Sequence, residues 1–417
     1  MIYLDSAATS PILPSVKKAI IEAMDELYAN PSELYTSGHL VADRIKKARE
    51  KVAELINADP SEIIFTSGAS ESNNTVIRTF EGESIVISEI DHHSVIVPAK
   101  KYANPLTPVK IDKNGILCYN EDIWTSRPKL VSIGLANNEI GVIQDVSFWA
   151  EKAHKNGALI HSDLTQAVGK IPVDVKSLDL DYASFSGHKI GTPKGIGVLY
   201  VKKGSPLKPL ILGGNQEKKR RAGTENTLGI IALEAATDYI LTNKTWELYA
   251  EKVAPLRDNL AQTILATIEG SSLNPMVSAE DMDSVFKGCP RLTRSGLSEA
   301  RPVTTGESER PRKTLSCPPS VLPNILNASF EAAEGESIQL YLDLEGIAVS
   351  TGSACATGEP SHVITALTND IERAHSSIRF SLGLNTTEKD IEKVMQVLPG
   401  IIKKLQGIST IKMKGAK

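Results

Sequence analysis

The chain has 417 residues, 41% hydrophobic and 23% charged, a globular composition with room for one large and one smaller domain. Its formal net charge of −4 gives no electrostatic reason to bind nucleic acid or an acidic membrane, and no apolar run approaches the ~20 residues of a membrane span. The opening MIYLDSAATSP lacks the regions of a signal peptide, and Cys118, Cys289, Cys317 and Cys355 stand far apart without a CxxC pair, so a reducing cytoplasm is expected rather than a disulfide framework or a metal site.

In chain order, GHLVADRIKKAREKVAELINA (38–58) predicts a long amphipathic helix. From about residue 60 to 202, β-rich runs alternate with helix-like stretches. The strand candidates are EIIFTS, SIVISE, LVSIGLA, ALIHSD, YASFSG and IGVLYV. Between them lie segments such as DVSFWAEKAHKNG, where Gly157 stands like a helix C-cap. Such alternation predicts an α/β fold with a largely parallel sheet and helices on both faces. Ligands then gather at the carboxyl ends of the strands.

TENTLGIIALEAATDYIL and TWELYAEKVAPLRDNLAQTILATI continue as helices. A second α/β group follows from about residue 321, with NILNASF, IAVST and SSIRFSL as strands, GESIQLYLDLEG as a helix and a closing helix from Thr387. The predicted division is an N-terminal segment 1–15 joining the small domain, a large domain 16–250 and a small C-terminal domain 251–417. Between the two groups, the segment 284–320 has seven Lys/Arg, three acidic residues and five prolines, with no helical or strand period. That composition predicts a solvated, disordered insert; a docking loop for an acidic partner is the alternative. In VSTGSACATGEPSHV, Cys355 stands among small and polar residues, unlike a structural thiol, which packs in apolar surroundings.

The strand ends carry the candidate chemistry. IIFTSGASESNN ends a strand at Thr66 and opens a helix near Ser70, where small residues, helix N–H groups and a hydroxyl suit a phosphate. No GxxxxGK[ST] points to a nucleotide triphosphatase. LIHSDLTQAVGK puts Asp163 at a strand end with Gln166 beyond it, and a carboxylate there calls for a cation. YASFSGHKIGTPKGIGVLYV puts Ser186, His188 and Lys189 at the end of the next strand, where partial desolvation favours a nucleophilic amine. An acid, a lysine and a phosphate cradle together match pyridoxal 5'-phosphate, whose aldehyde takes a lysine as Schiff base and whose ring nitrogen wants a carboxylate. His92, in SEIDHHSVIVP, is a candidate to stack on the ring.

YLDSAATSP, ANPS, FTSGASESNN, NNEIGVIQD, HSDLTQAVGK, SFSGHKIGTPKGIGVLYV, GGNQEKKRRAGTEN, GSAC and HSSIRFSLG occur here in the order found in cysteine desulfurases of the NifS/IscS type. The chain resembles that family, a class V group of pyridoxal phosphate enzymes, over nearly its whole length except the 284–320 insert. The resemblance implies the fold type I (aspartate aminotransferase-like) architecture, with a seven-stranded, mainly parallel sheet in the large domain. It implies Lys189 as the Schiff-base lysine, Asp163 facing the ring nitrogen, His92 stacking on the ring and Gln166 on the phenolic oxygen. Phosphate contacts fall on Ala69, Ser70, Ser186 and His188, with Thr224 reaching across from a second subunit of a homodimer. Arg379 takes the substrate carboxylate, and Asn30 and Asn138 lie near that carboxylate and the cofactor.

Cys355 then matches the sulfur-accepting nucleophile: L-cysteine becomes L-alanine while Cys355 holds a persulfide for a sulfur acceptor or scaffold protein, as in iron–sulfur cluster assembly or thiolation. Three departures from the family pattern stand out: Tyr35 where a histidine is common, Leu164 in place of the usual alanine, and a Cys355 loop shorter than in some members. None removes a residue that the chemistry requires. The rival readings are a selenocysteine lyase or another class V enzyme, and a non-catalytic scaffold subunit.

Overall fold

The structure is a computed structural model that describes residues 1–275, 321–351 and 359–409. The 284–320 segment and Cys355 therefore lie outside the described residues.

After the short strand β1 (Ile2–Tyr3), seven strands form the main sheet: β2 (Ile63–Thr66), β3 (Ile85–Ser88), β4 (Leu106–Val109), β5 (Leu130–Ser132), β6 (Leu159–Asp163), β7 (Tyr182–Ser186) and β8 (Gly197–Val201). Their spatial order is β2-β8-β7-β6-β5-β3-β4. All run parallel except β8, which is antiparallel to both β2 and β7. Every residue of β2, β3, β7 and β8 is buried, which is why β2, β3 and β8 read as nearly continuous apolar runs: a sheet covered on both faces has no solvent side to alternate with.

On one face, α1 (Pro14–Glu26), α2 (Thr36–Leu55), α5 (Val146–Lys155) and α6 (Thr227–Asn243) bury Val16, Val41, Val52, Trp149, Ile231 and Leu233 in a core shared with Phe65, Val131 and Phe185. On the other, α3 (Ala69–Thr79) and α4 (His93–Tyr102) bury Val76, Ile77, Val95 and Ala99 against Ile85, Tyr182 and Leu199. The sequence reading passed over β4. Its residues, LTPV, follow Pro105 and contain Pro108, and proline cannot donate to a ladder, so such a run survives only where one side needs no partner. β4 is that case, an edge strand bonded to β3 alone.

A second body forms around β9 (Ser271–Leu273), β10 (Ile325–Phe330), β11 (Ile347–Ala348) and β12 (Ser377–Ser381). β9, β10 and β12 make an antiparallel sheet in the order β12-β10-β9. The closing helix Glu388–Ile408 is capped reciprocally by Thr387 and Asp390, two orphan groups satisfied at one turn. It buries Ile391, Val394, Leu398, Ile402 and Leu405 on Phe330, Ile378 and Phe380. The chain's first residues cross into this body, because β1 pairs in parallel with β11 through Ile2↔Ile347 and Tyr3↔Ala348.

Between the two bodies lies Lys170, 2% exposed. Its Nζ reaches the Lys189 carbonyl oxygen at 3.5 Å. Burial, helped by the charge of Lys189, pushes its amine down to about 7, against an unfolded value of about 10.4. Between those values the folded chain binds fewer protons than the unfolded one, so stability rises with pH across that window. Lys170→Met should therefore be the more stable protein at pH 7, and its advantage in melting temperature should shrink by about 3 °C by pH 10. Thermal melts of both proteins across that range check this; a constant difference would show that Lys170 is not held in the neutral form.

Candidate active site

The carboxyl ends of β2, β3, β5, β6 and β7 share one edge of the sheet, and a cavity of about 430 Å³ opens there. Asp163 is the last residue of β6. The adjacent strand β7 ends at Ser186 and turns through Gly187–Lys189, so the acid and the lysine stand on neighbouring strand ends. Lys189 Nζ donates to the carbonyl oxygens of Ala7 and Ala8 at 2.5 and 2.6 Å. Ser10 holds the same turn from the other end, with its Oγ on the Lys189 carbonyl at 2.9 Å and its N–H on that of His188 at 2.8 Å.

β2 leads through Gly68 into α3, whose first residues are Ala69 and Ser70. Gly68, at the N-cap, has no side chain to occupy the first amides of the helix, which leaves a positive helix end facing the cavity. The turn lies hard against β8. A Cβ on Gly197 would stand 2.5 Å from the Gly68 Cα, so only glycine lets the two backbones meet. Ser186 lies beside it, its Oγ 3.5 Å from where a Cβ on Gly68 would stand.

A chain of hydrogen bonds runs across the floor. His92 Nδ1 pairs with Ser94 Oγ at 2.8 Å, Asn73 Nδ2 donates to that oxygen at 2.8 Å, and the same Nδ2 donates to Asp163 Oδ2 at 2.8 Å. The Thr165 N–H gives Asp163 Oδ1 a second bond at 2.9 Å. Desolvation lowers the pKa of His92 against the pull of Asp163, so its ring is neutral near pH 7. His188 is pushed down to about 4, by burial first and then by Lys189, Lys194 and Lys170; its Nδ1 faces Thr9 Oγ1 at 3.2 Å.

Arg379 enters from β12, 2% exposed, with Nη1 on the Asn138 carbonyl at 2.9 Å and Nη2 on Asp5 Oδ1 at 2.8 Å. Gln166 Nε2 donates to the Ala7 carbonyl at 3.1 Å. Gln166 Oε1, Thr165 Oγ1, Asn73 Oδ1 and Arg379 Nε are buried with no hydrogen-bond partner among the described residues.

Of the residues singled out in the sequence, the cavity brings together Ala69, Ser70, His92, Asn138, Asp163, Gln166, Ser186, His188, Lys189 and Arg379. It does not include Asn30, which is exposed and turns its Oδ1 onto the Ser32 N–H at 2.9 Å. Thr224 is exposed and also outside the lining. Cys355 lies outside the described residues. Tyr35 is the N-cap residue of α2, 53% exposed, and Leu164 is wholly buried in the large core.

The sequence reading missed Asn73 and Ser94. Asn73 is four residues beyond Ala69, hence on the same helix face, and Ser94 follows His92 at the cap of α4. It also passed over two buried carboxyls. Asp91 accepts the N–H groups of Ser88 and Gly134 at 3.0 and 2.8 Å, and burial pushes it up to about 7. Glu139, raised by burial, accepts the Ser361 hydroxyl at 2.5 Å.

Among the described residues no group of three or more His, Cys, Asp or Glu could hold a metal ion, and no helix is long and apolar enough to cross a membrane. The family model for aminotransferase class-V matches residues 2–286 and 309–394, its break falling inside the 284–320 segment. The chain is 38% identical over 427 residues to the cysteine desulfurase IscS of Dictyoglomus turgidum, covering 99% of this chain and 97% of that one. Among solved structures it is similar to a NifS-like protein from Rickettsia africae, with a TM-score of 0.79 and 30% identity over 97% of this chain and 99% of that one. It is also similar to SspA in complex with cysteine, with a TM-score of 0.72 and 26% identity over 93% of this chain and all of that one. With the family model matched along nearly all of its length, the chain belongs to the aminotransferase class-V family and shares the fold of its pyridoxal phosphate-dependent cysteine desulfurases.

Proposed function

We propose that this chain is a pyridoxal phosphate-dependent cysteine desulfurase, which turns L-cysteine into L-alanine and holds the released sulfur on Cys355 as a persulfide. The observation that carries the reading is the convergence of Lys189, Asp163 and Arg379 on one cavity, in a chain this similar to proteins named cysteine desulfurase.

The described residues fit the cofactor. The uncapped amides at Ala69 and Ser70, with Ser186 and His188, suit its phosphate. Asp163 offers a carboxylate to the ring nitrogen, and the unpartnered Gln166 Oε1 and Thr165 Oγ1 are buried polar atoms awaiting a ligand. When bound, the cofactor supplies an aldehyde for amines and a ring that accepts the electron pair left by loss of the α-proton. Asn73 and the Thr165 amide orient Asp163, and neutral His92 offers a flat face. Arg379 binds the substrate carboxylate as a fork. Lys189, freed from the Ala7 and Ala8 carbonyls, takes the proton from the substrate's α-carbon and later returns one to that same carbon.

The Cys355 thiolate attacks the substrate sulfur. The carbon–sulfur bond breaks with its electron pair left on carbon, where a proton completes alanine, and the sulfur stays bound to Cys355. Thr224, exposed and outside its own cavity, is assigned to the phosphate site of a second subunit, which makes the working form a homodimer. A reducing cytoplasm keeps the thiol available, and a sulfur acceptor then takes the persulfide sulfur.

Mass spectrometry of the Cys355 peptide after incubation of the cofactor-loaded protein with L-cysteine, without reductant, tests this. One added sulfur is expected, with alanine in solution, and neither in a Lys189→Ala control. An unmodified Cys355 with no alanine would overturn the reading. A Cys355→Ala protein that still processed amino acids at the normal rate would point instead to an aminotransferase.

Gly197→Ala tests the phosphate cradle separately. Its methyl would force β8 and the Gly68 turn apart, and overpacking of this kind costs about 1–3 kcal/mol. Affinity for pyridoxal phosphate, titrated by absorbance into the apoprotein, should fall about tenfold. Unchanged affinity would show that the phosphate lies elsewhere.

A further inference from the structure

The guanidinium of Arg379 is only partly used. Of its five N–H groups, one on Nη1 goes to the Asn138 carbonyl and one on Nη2 to Asp5. Nε, equally buried, has no partner among the described residues, and Arg379 borders the cavity. A second carboxylate can therefore be taken up while Asp5 stays in place.

The position of Asp5 does not depend on that ion pair. Its backbone bridges Ser381, two residues beyond Arg379 on β12. The Ser6 N–H donates to the Ser381 carbonyl at 3.0 Å, and the Ser381 N–H donates to that of Leu4 at 2.8 Å. Behind it, the Ala8 N–H donates to the Asp5 carbonyl at 3.0 Å. The Asp5 side chain is 21% exposed, and that of Arg379 only 2%. A buried cation thus faces a counter-ion held by a separate set of backbone bonds.

We infer that Asp5 is the positioning residue of the substrate-carboxylate site: it holds the Arg379 fork with its Nε unpartnered among the described residues, and its charge limits how tightly a carboxylate is held. This rests on the reading of Arg379 as the group that binds the substrate carboxylate. A lone buried guanidinium would be costly to fold and would grip any carboxylate strongly. With Asp5 beside it, the incoming carboxylate meets a neutralised pair and a like charge nearby. That weakening suits the proposed reaction, because L-cysteine and L-alanine present the same α-carboxylate. Tighter uniform binding would hold the product as firmly as the substrate without lowering the barrier.

The experiment compares two competitive inhibitors of the cofactor-loaded enzyme: 3-mercaptopropionate, with a carboxylate and no amine, and cysteamine, with an amine and no carboxylate. Asp5→Asn keeps an oxygen acceptor for Nη2 but removes the charge. It should lower the inhibition constant of 3-mercaptopropionate by about three- to tenfold and leave that of cysteamine unchanged. Asp5→Ala loses the acceptor as well, so the fork is no longer held, and its 3-mercaptopropionate constant should stay above that of Asp5→Asn.

Equal constants for the two variants, no change in Asp5→Asn, or an equal shift with cysteamine would each overturn the inference. Arg379→Ala separates the two levels. If it leaves 3-mercaptopropionate binding intact, the assignment of Arg379 is wrong. If it abolishes binding while Asp5→Asn changes nothing, Asp5 alone is rejected. Circular dichroism checks folding, and Asp5→Ser replaces Asp5→Asn should that variant not fold.

Discussion

The site depends on the run of backbone hydrogen bonds along residues 2–13. On one side this segment is bonded to the small body, through Ile2 to Gly346, Leu4 to Ala348 and Ser6 to Ser381. On the other it is bonded to the lysine turn, through Ser10 to His188 and Leu13 to Gly191. In its middle the Ala7 and Ala8 carbonyls take the Lys189 amine. The two bodies have their own main cores, joined by smaller apolar clusters such as Ile90, Ile140 and Val142 with Val363, Ile364 and Leu367, and apolar packing is non-directional. Directional bonds along this segment set the placement of Arg379 against Lys189.

The electrostatics of the cavity follow from where the strands stop. Strand ends project polar side chains into a space with little water, and each must find a partner. Asp163 has Asn73 and the Thr165 amide, Asp91 has two backbone N–H groups, and Glu139 has Ser361. Below them His161, wholly buried, rests between Ser132 and Ser184, and burial pushes it down to about 4. The same desolvation holds His92 and His188 on the neutral side. Near pH 7 the charged groups at the proposed reaction centre are thereby reduced to a few acids and bases with assigned partners, the arrangement that proton transfer between a lysine and a substrate carbon requires.

Much of this was legible in the chain. The central strands announce themselves because a two-sided sheet demands continuous apolar runs, as in EIIFTS and IGVLYV. Asp163 was legible because it closes a strand, and Lys189 because it follows the end of the next strand in SFSGHK, places where a charged group has little other reason to stand. β4 was not legible, since Pro105 and Pro108 argue against a strand and only its edge position permits one. Nor was Asn73, whose neighbours in sequence show nothing of Asp163, 90 residues away. Asn30 showed the opposite: the motif was present, but its loop is exposed and apart from the cavity.

By itself, the sequence determined the elements and the residue types at their ends, because helix and strand periodicity, caps and apolar runs are local properties. Which of those ends meet was decided only by the tertiary structure. Asp5 and Arg379 are 374 positions apart, as are Ala7 and Ser381, and both contacts arise where the N-terminal segment is laid along β12. Nothing local to Asp5 distinguishes a counter-ion for a buried arginine from a solvated aspartate. The fold makes that distinction by removing water from the arginine and, among the described residues, giving it the Asp5 carboxylate as its hydrogen-bonded counter-ion.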